Sequence, residues 1–182
     1  MTVALPIPTP RLLLRRPRLA DADAIFARYS SDPEVTRWLR WPAHREIEET
    51  RRFIAWADQQ WMEWPAGPLL ILEKLDDGRE GRLLGAAGLG FSTPDRASAG
   101  YLLARDAWRH GYATEALEAV VRLAAQLKVR YLVAFCQAGN TASIHVLLKC
   151  GFERAARLEQ HSVFPSAASG KRLDVLQFER LL

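Results

Sequence analysis

The chain has 182 residues, 49% of them hydrophobic and 25% charged, with a net charge of +4. That length predicts a single domain, 1–182, with a real hydrophobic core, and that balance excludes a disordered or membrane-embedded chain. Pro6, Pro8 and Pro10 break the N-terminal stretch and the two cysteines, Cys136 and Cys150, fall in apolar context, so no leader, buried thiols and a cytoplasmic setting are expected.

In chain order, a proline-rich, unstructured lead runs into a strand at 11–15. Asp21 reads as the cap of a helix running to about residue 31, with Ala22, Ile25, Phe26 and Tyr29 on one face. A short helical piece follows Pro33, and Pro42 breaks the run Trp38-Leu39-Arg40-Trp41. Ile47, Phe53, Ile54 and Ala57 predict a helix over 45–62, with Arg45, Arg51 and Arg52 interleaved with Glu46, Glu48 and Glu49 as a salt-bridged face. Strands at 69–75, 82–91 and 99–103 form an antiparallel meander, turned at Asp76-Asp77-Gly78 and at Pro94-Asp95. Ala113, Ala116, Leu117, Val120, Val121, Ala124 and Leu127 recur at helical spacing, and 131–135 is an apolar strand of the kind covered on both faces. Asn140 caps a helix over 141–149 that Gly151 stops, and strands at 152–164 and 171–179 close the chain as a hairpin around 165–170. The expected fold class is mixed α/β, a mostly antiparallel sheet of seven strands flanked by helices.

Chemistry concentrates around Gly111, where a strand gives way to a helix. Glycine lets the backbone pass close to a ligand, and the first helical N–H groups, which have no partner inside the helix, point to the same place. With the helix dipole they make a cradle for phosphate oxygens. No Lys-Ser/Thr pair and no run of three spaced glycines accompanies it, so it differs from the standard nucleotide loops. If 99–103 and 131–135 are parallel neighbours, the helix that Asn140 opens starts at the same sheet edge. The four histidines show no metal spacing with either cysteine, and no metal is expected. Arg15-Arg16-Pro17-Arg18 is a dense basic cluster without a nucleic-acid motif; it reads as a solvated face, with neither nucleic acid nor membrane as a partner.

These residues resemble the GNAT N-acetyltransferase superfamily, whose hallmark is an Arg/Gln-x-x-Gly-x-Gly/Ala turn around the pyrophosphate of acetyl-coenzyme A. The opening Thr9-Pro10-Arg11-Leu12-Leu13-Leu14-Arg15, the run Gly111-Tyr112-Ala113-Thr114-Glu115-Ala116 and the pattern Asn140…Ser143…Lys149-x-Gly151-Phe152 are similar to the ribosomal-protein alanine N-acetyltransferase (RimJ/RimL-like) branch, as are Trp41-Pro42 and Asp174-Val175. The likeness covers nearly the whole chain. It implies a sheet splayed between 99–103 and 131–135, acetyl-coenzyme A as cosubstrate, and transfer to a primary amine by direct attack in a ternary complex. It assigns the pyrophosphate to the turn of Arg109, His110, Gly111, Tyr112, Ala113 and Thr114. Backbone groups of Leu102 and Leu103 take the pantetheine arm, with a donor to the thioester oxygen near Leu102, and Asn140 and Ser143 lie further along the arm or near the sulfur.

Two positions depart from the superfamily. Trp108 stands where many relatives carry Gln or Arg, and Leu147 where many carry a tyrosine acid. In the RimJ/RimL-like branch a serine near the place of Ser143 has the acid's role, so Ser143 and Asn140 are the catalytic candidates; Leu147 also leaves open a non-catalytic acyl-coenzyme A-binding module. His44 follows the Trp41-Pro42 break, on the segment that in the family forms the acceptor wall, and is the candidate base. The acidic residues Asp32, Glu34, Glu46, Glu48, Glu49 and Glu63 are spaced with arginines and read as solvated. A polyamine or antibiotic acceptor needs an enclosed acidic pocket, so a peptide or protein N-terminal α-amine is preferred and the small-molecule amine is the alternative. Trp38, Trp41, Trp56, Trp61 and Trp64 either pack the N-terminal helices on the sheet or form an acceptor pocket or dimer face, with monomer and homodimer both open.

Overall fold

The computed structural model describes residues 3–166 and 172–182. Its strands are β1 (Ile7–Pro8), β2 (Leu12–Arg15), β3 (Pro68–Lys74), β4 (Glu80–Thr93), β5 (Arg96–Leu103), β6 (Tyr131–Gln137), β7 (Glu153–Val163) and β8 (Arg172–Leu181). Its helices are α1 (Ala22–Ile25), α2 (Pro33–Thr36), α3 (Ile47–Glu63), α4 (Tyr112–Gln126) and α5 (Thr141–Lys149). All strands join one mixed sheet in the order β1-β2-β3-β4-β5-β6-β8-β7, and β5–β6 is its parallel pair.

The sheet therefore has eight strands where the sequence predicts seven. The extra one is the two-residue β1, inside the lead expected to be unstructured, with Ile7 opposite Leu14 and Pro8 opposite Leu13. A proline lacks the N–H that a ladder needs, and the sheet edge is where it is tolerated. The turn expected at 165–170 lies mostly outside the described residues.

Alternation along β3 divides the interior. Leu69 and Ile71 face a core with Leu12, Leu14, Leu84, Leu132 and the inner side of α4; Leu70 and Leu72 face a second with Ile25, Tyr29, Val35 and Ile54. The sheet thus carries α4 on one face and the N-terminal helices on the other. Gly151 ends α5 as expected, at φ 71°, with Phe152 N–H bonded to Leu147 O at 3.0 Å.

Two expectations in the N-terminal quarter are corrected. The first helical stretch starts at a 3₁₀ turn, Leu19–Asp21, and ends in a π-helical turn, Phe26–Ser30, so Asp21 lies inside it rather than capping it. Its carboxylate reaches back to the Arg18 N–H at 2.6 Å. Nor is Arg15 on a solvated face: its side chain is 7% exposed, and its guanidinium meets Asp21 at 2.7 Å and Glu80 at 2.8 Å. Burial alone would raise the Asp21 pKa, but the bonds from Arg15 and from Arg18 N–H outweigh it and hold the carboxyl below its usual value. The helix α3 begins at Ile47 because Glu46 and Glu49 form a capping box, so these glutamates serve the helix start and, of the expected ion-paired face, Arg51–Glu48 pairs.

Removing Asp21 leaves a guanidinium buried without its main partner. Asp21→Ala should lower the unfolding free energy in urea by about 3 kcal/mol, and a loss below about 1 kcal/mol would contradict this. Because the native Asp21 pKa is depressed, this stabilisation is present above the ordinary carboxylate pKa and is lost as pH falls through the native one.

Candidate active site

Strand β5 is bonded on one side to β4 along its whole length, from Arg96 to Leu103. On the other side it meets β6 at Arg96–Tyr131, Ala97–Leu132 and Ser98–Val133, and there the pairing stops. Ala104 N–H bonds Leu84 O at 2.8 Å. Antiparallel alternation then turns the backbone groups of Leu102, opposite Ala86, toward β4, and those of Tyr101 and Leu103 toward the opening. Leu103 O is taken by the Trp108 indole N–H at 2.8 Å. The opening thus retains the N–H groups of Tyr101 and Leu103, while Leu102 offers its side chain to a cavity described below. The backbone N–H groups facing the opening beside Leu102 are therefore those of its two neighbours.

Past β5 the chain turns sharply. Arg109 has φ 66° and Gly111 φ 79°, both left-handed, and Gly111 is the N-cap of α4. The first helical bond runs from Glu115 N–H to Gly111 O at 3.1 Å, so the N–H groups of Tyr112, Ala113 and Thr114 are free of helical partners. Left-handed residues next to a helix start make a concave nest of N–H groups suited to an anion.

The N-terminal lead braces this turn. Glu115 accepts from Thr9 Oγ1 at 2.6 Å, from Arg11 N–H at 2.8 Å and from Arg11 Nε at 2.7 Å, and Arg11 Nη1 donates to His110 O at 2.9 Å. Burial pushes the Glu115 pKa up, yet these donors outweigh it and keep the carboxylate ionised. The Arg11 guanidinium also lies 4.8 Å from the Tyr112 ring centroid, and the His110 and Tyr112 rings stack at 5.7 Å. Thr9 and Arg11 thus act on the turn from about a hundred residues away.

Because β5 and β6 are parallel, the start of α5 lies at the same sheet edge as the Gly111 turn. Asn140 Oδ1 accepts the Ser143 N–H at 3.1 Å and so caps the helix, and Asn140 does not line the cavity. Ser143 does line it, with its Oγ 2.9 Å from Tyr101 Oη. Tyr101 was not singled out by sequence. Its signal was a lone tyrosine in the apolar run 99–103, but its partner lies 42 residues away. Burial holds the Tyr101 phenol well above its usual pKa, so it stays protonated. Burial also pushes the Cys136 thiol up to about 11, which leaves it neutral.

The cavity measures about 800 Å³ and reaches from Tyr101, Ser143 and Leu147 to the N-terminal helices. His44 lines its far wall, with Nδ1 2.8 Å from Thr50 Oγ1, which in turn lies 3.0 Å from Ser30 Oγ. Burial lowers the His44 pKa, so the ring is neutral at pH 7. The tryptophans divide between the two roles the sequence left open. Trp41 and Trp56 line the cavity, whereas Trp61 is buried with Nε1 bonded to Pro68 O at 2.8 Å, and Trp64 stacks on Phe91 at 5.4 Å. Among the described residues no three metal-ligating side chains cluster, and no helix is long and apolar enough to cross a membrane.

A sheet parted between two parallel strands, with an anion nest at one helix start and a hydroxyl at the next, defines an acyl-coenzyme A-dependent transferase. Residues 11–153 match the acetyltransferase (GNAT) domain, and the chain belongs to that family. It is an N-acetyltransferase that uses acetyl-coenzyme A. The uncharacterized N-acetyltransferase p20 of Bacillus licheniformis is 29% identical over 176 residues, 95% of this chain and 94% of p20. In structure, RimL, a ribosomal alpha-N-protein acetyltransferase in complex with coenzyme A, superposes at TM-score 0.83 with 21% identity over 97% of both chains. The microcin self-immunity acetyltransferase MccE, in complex with acetyl-CoA and AMP, superposes at 0.82 with 18% identity over 96% of this chain and 94% of MccE.

A side chain at Gly111 would be held in a left-handed conformation, with its Cβ 3.4 Å from Arg11 Nη2. Such strain costs about 1–3 kcal/mol and is larger for a β-branched residue. Gly111→Val should weaken coenzyme A binding in calorimetry by roughly tenfold or more with an unchanged circular dichroism spectrum; unaltered affinity would contradict the assignment of the turn.

Proposed function

We propose that this acetyltransferase modifies a peptide or protein N-terminal α-amine. The observation that carries the reading is the charge of the cavity wall. Glu49 is its one acidic residue among those described, and that carboxylate already accepts the N–H of Arg45 at 2.6 Å and of Glu46 at 3.3 Å. Arg40 and Arg52 line the same space. A polyamine or aminoglycoside brings several positive charges and needs carboxylates to meet them. An α-amine with a pKa of about 8 is partly neutral at pH 7 and needs none. The structural likeness to RimL points the same way.

In this reading the N–H groups of the Gly111 turn hold the pyrophosphate, and the parted edge of β5 holds the pantetheine arm. The donor supplies an acetyl group activated as a thioester and a thiolate leaving group. Tyr101 and Leu103 N–H groups face the opening, fixed by β4 behind them, and are the donors available to a developing oxyanion. Ser143 Oγ carries the proton for the leaving sulfur and regains one from solvent, while Tyr101 Oη, 2.9 Å away, holds that hydroxyl in place. His44, neutral and oriented by Thr50, stands at the other end of the cavity and takes up the amine proton through intervening water. The proton donor that Leu147 cannot be is thus Ser143, held by a tyrosine that comes from β5 rather than from α5.

Thiol release from acetyl-coenzyme A, measured against N-terminal peptides, polyamines and aminoglycosides, tests the acceptor; turnover confined to the small amines would reverse it. In the same assay Ser143→Ala should lower kcat by roughly ten- to a thousandfold. Tyr101→Phe should lower it less, and both should leave the KM for acetyl-coenzyme A within about twofold. An unchanged kcat for Ser143→Ala would reduce Ser143 to a helix-start contact.

A further inference from the structure

The helix α3 carries two stripes. Thr50, Ile54, Ala57 and Trp61 recur at intervals of three and four and are buried. Glu49, Phe53 and Trp56 each stand one position before the first three of these, Arg52 lies beside Phe53, and all four line the cavity. This second stripe is not packed away, since Trp56 is 49% exposed. Across from it, the break at Pro42 places Arg40 and Trp41 on the wall. Neither Arg40 nor Arg52 is ion-paired among the described residues, although eleven of the chain's arginines are, from Arg11 to Arg157.

A second observation points to a polar ligand in the same space. Tyr29 lines the cavity and is 2% exposed, yet its hydroxyl is a buried side-chain polar atom without a hydrogen-bond partner. Unpartnered buried hydroxyls are rare, and this one belongs to a residue of the cavity wall. An aromatic wall beside two unpaired guanidinium groups and an unpaired phenol suits an apolar body next to a carboxylate.

Resting on the α-amine reading, we infer that Trp41, Phe53 and Trp56 together with Arg40 and Arg52 select peptides that begin with a bulky apolar residue followed at once by an acidic one. The apolar side chain lies on the stripe of α3, and the acidic side chain meets the guanidinium groups. Glu49 lies near Arg52 without forming an ion pair with it, its carboxylate being bonded to the N–H groups at the start of its own helix. The amine, on the first residue, then lies toward Ser143, while His44 stands beside Trp41 at the other end of the cavity.

The test is the kcat/KM of the whole enzyme for C-terminally amidated hexapeptides that differ in their first two residues, Met-Asp, Met-Lys, Gly-Asp and Gly-Lys, with free phenylalanine as a further arm. Met-Asp should exceed Met-Lys by roughly tenfold or more, and Arg52→Glu should reverse that order. Trp56→Ala should raise KM for Met-Asp while leaving Gly-Asp nearly unchanged. A merely structural arginine would lower all rates together and preserve the order. Equal rates for all four peptides would overturn the inference and leave the α-amine reading standing. Turnover of no peptide, or of free phenylalanine alone, would overturn both.

Discussion

Strands β5 and β6 are bonded through three residue pairs and then part, and the site depends on that separation. Each is fully occupied on its other side, β5 by β4 and β6 by β8, so neither can move to close the gap without giving up a complete ladder. Backbone N–H and C=O groups left in a protein interior must be met by something. The Trp108 indole meets Leu103 O, and the N–H groups of Tyr101 and Leu103 are left for a ligand. Trp108, where many relatives carry Gln or Arg, thus serves the opening from its side chain, while the proposed phosphate cradle is made of backbone.

Parallel neighbours that part also bring two helix starts to one place. One is strained, with two left-handed residues, and needs the brace of Thr9, Arg11 and Glu115 beneath it. The other is relaxed, capped by Asn140, and presents Ser143 three residues on. Strain at the first and a simple cap at the second fit their proposed duties. Close approach to phosphate oxygens needs backbone in an unusual conformation, whereas a proton-bearing hydroxyl needs only to be held at a fixed point.

What the sequence disclosed followed how local the cause was. Gly111 and Gly151 were legible because a left-handed residue at a helix boundary is a property of two or three positions, and Asn140 because a cap acts within one turn. Arg15 was misread because its partner Glu80 is 65 residues away and its burial belongs to the assembled sheet. Strand β1 escaped notice because two residues have no periodicity. Tyr101 escaped because a tyrosine in a strand is ordinary until Ser143 stands beside it. The second stripe of α3 was visible as residues, but its glutamate and arginine read as solvated surface, and only the cavity gives that face a purpose.

The parted edge of β5 and the Gly111 turn are proposed to hold the donor together, and amide hydrogen exchange with and without saturating coenzyme A tests this residue by residue. Exchange at Tyr101, Leu103 and Tyr112 through Thr114 should slow by roughly tenfold or more on binding, beyond any change at Ala97 in the paired part of the same strand. Protection spread evenly over β5, or absent at Tyr101 and Leu103 while coenzyme A is bound, would contradict it.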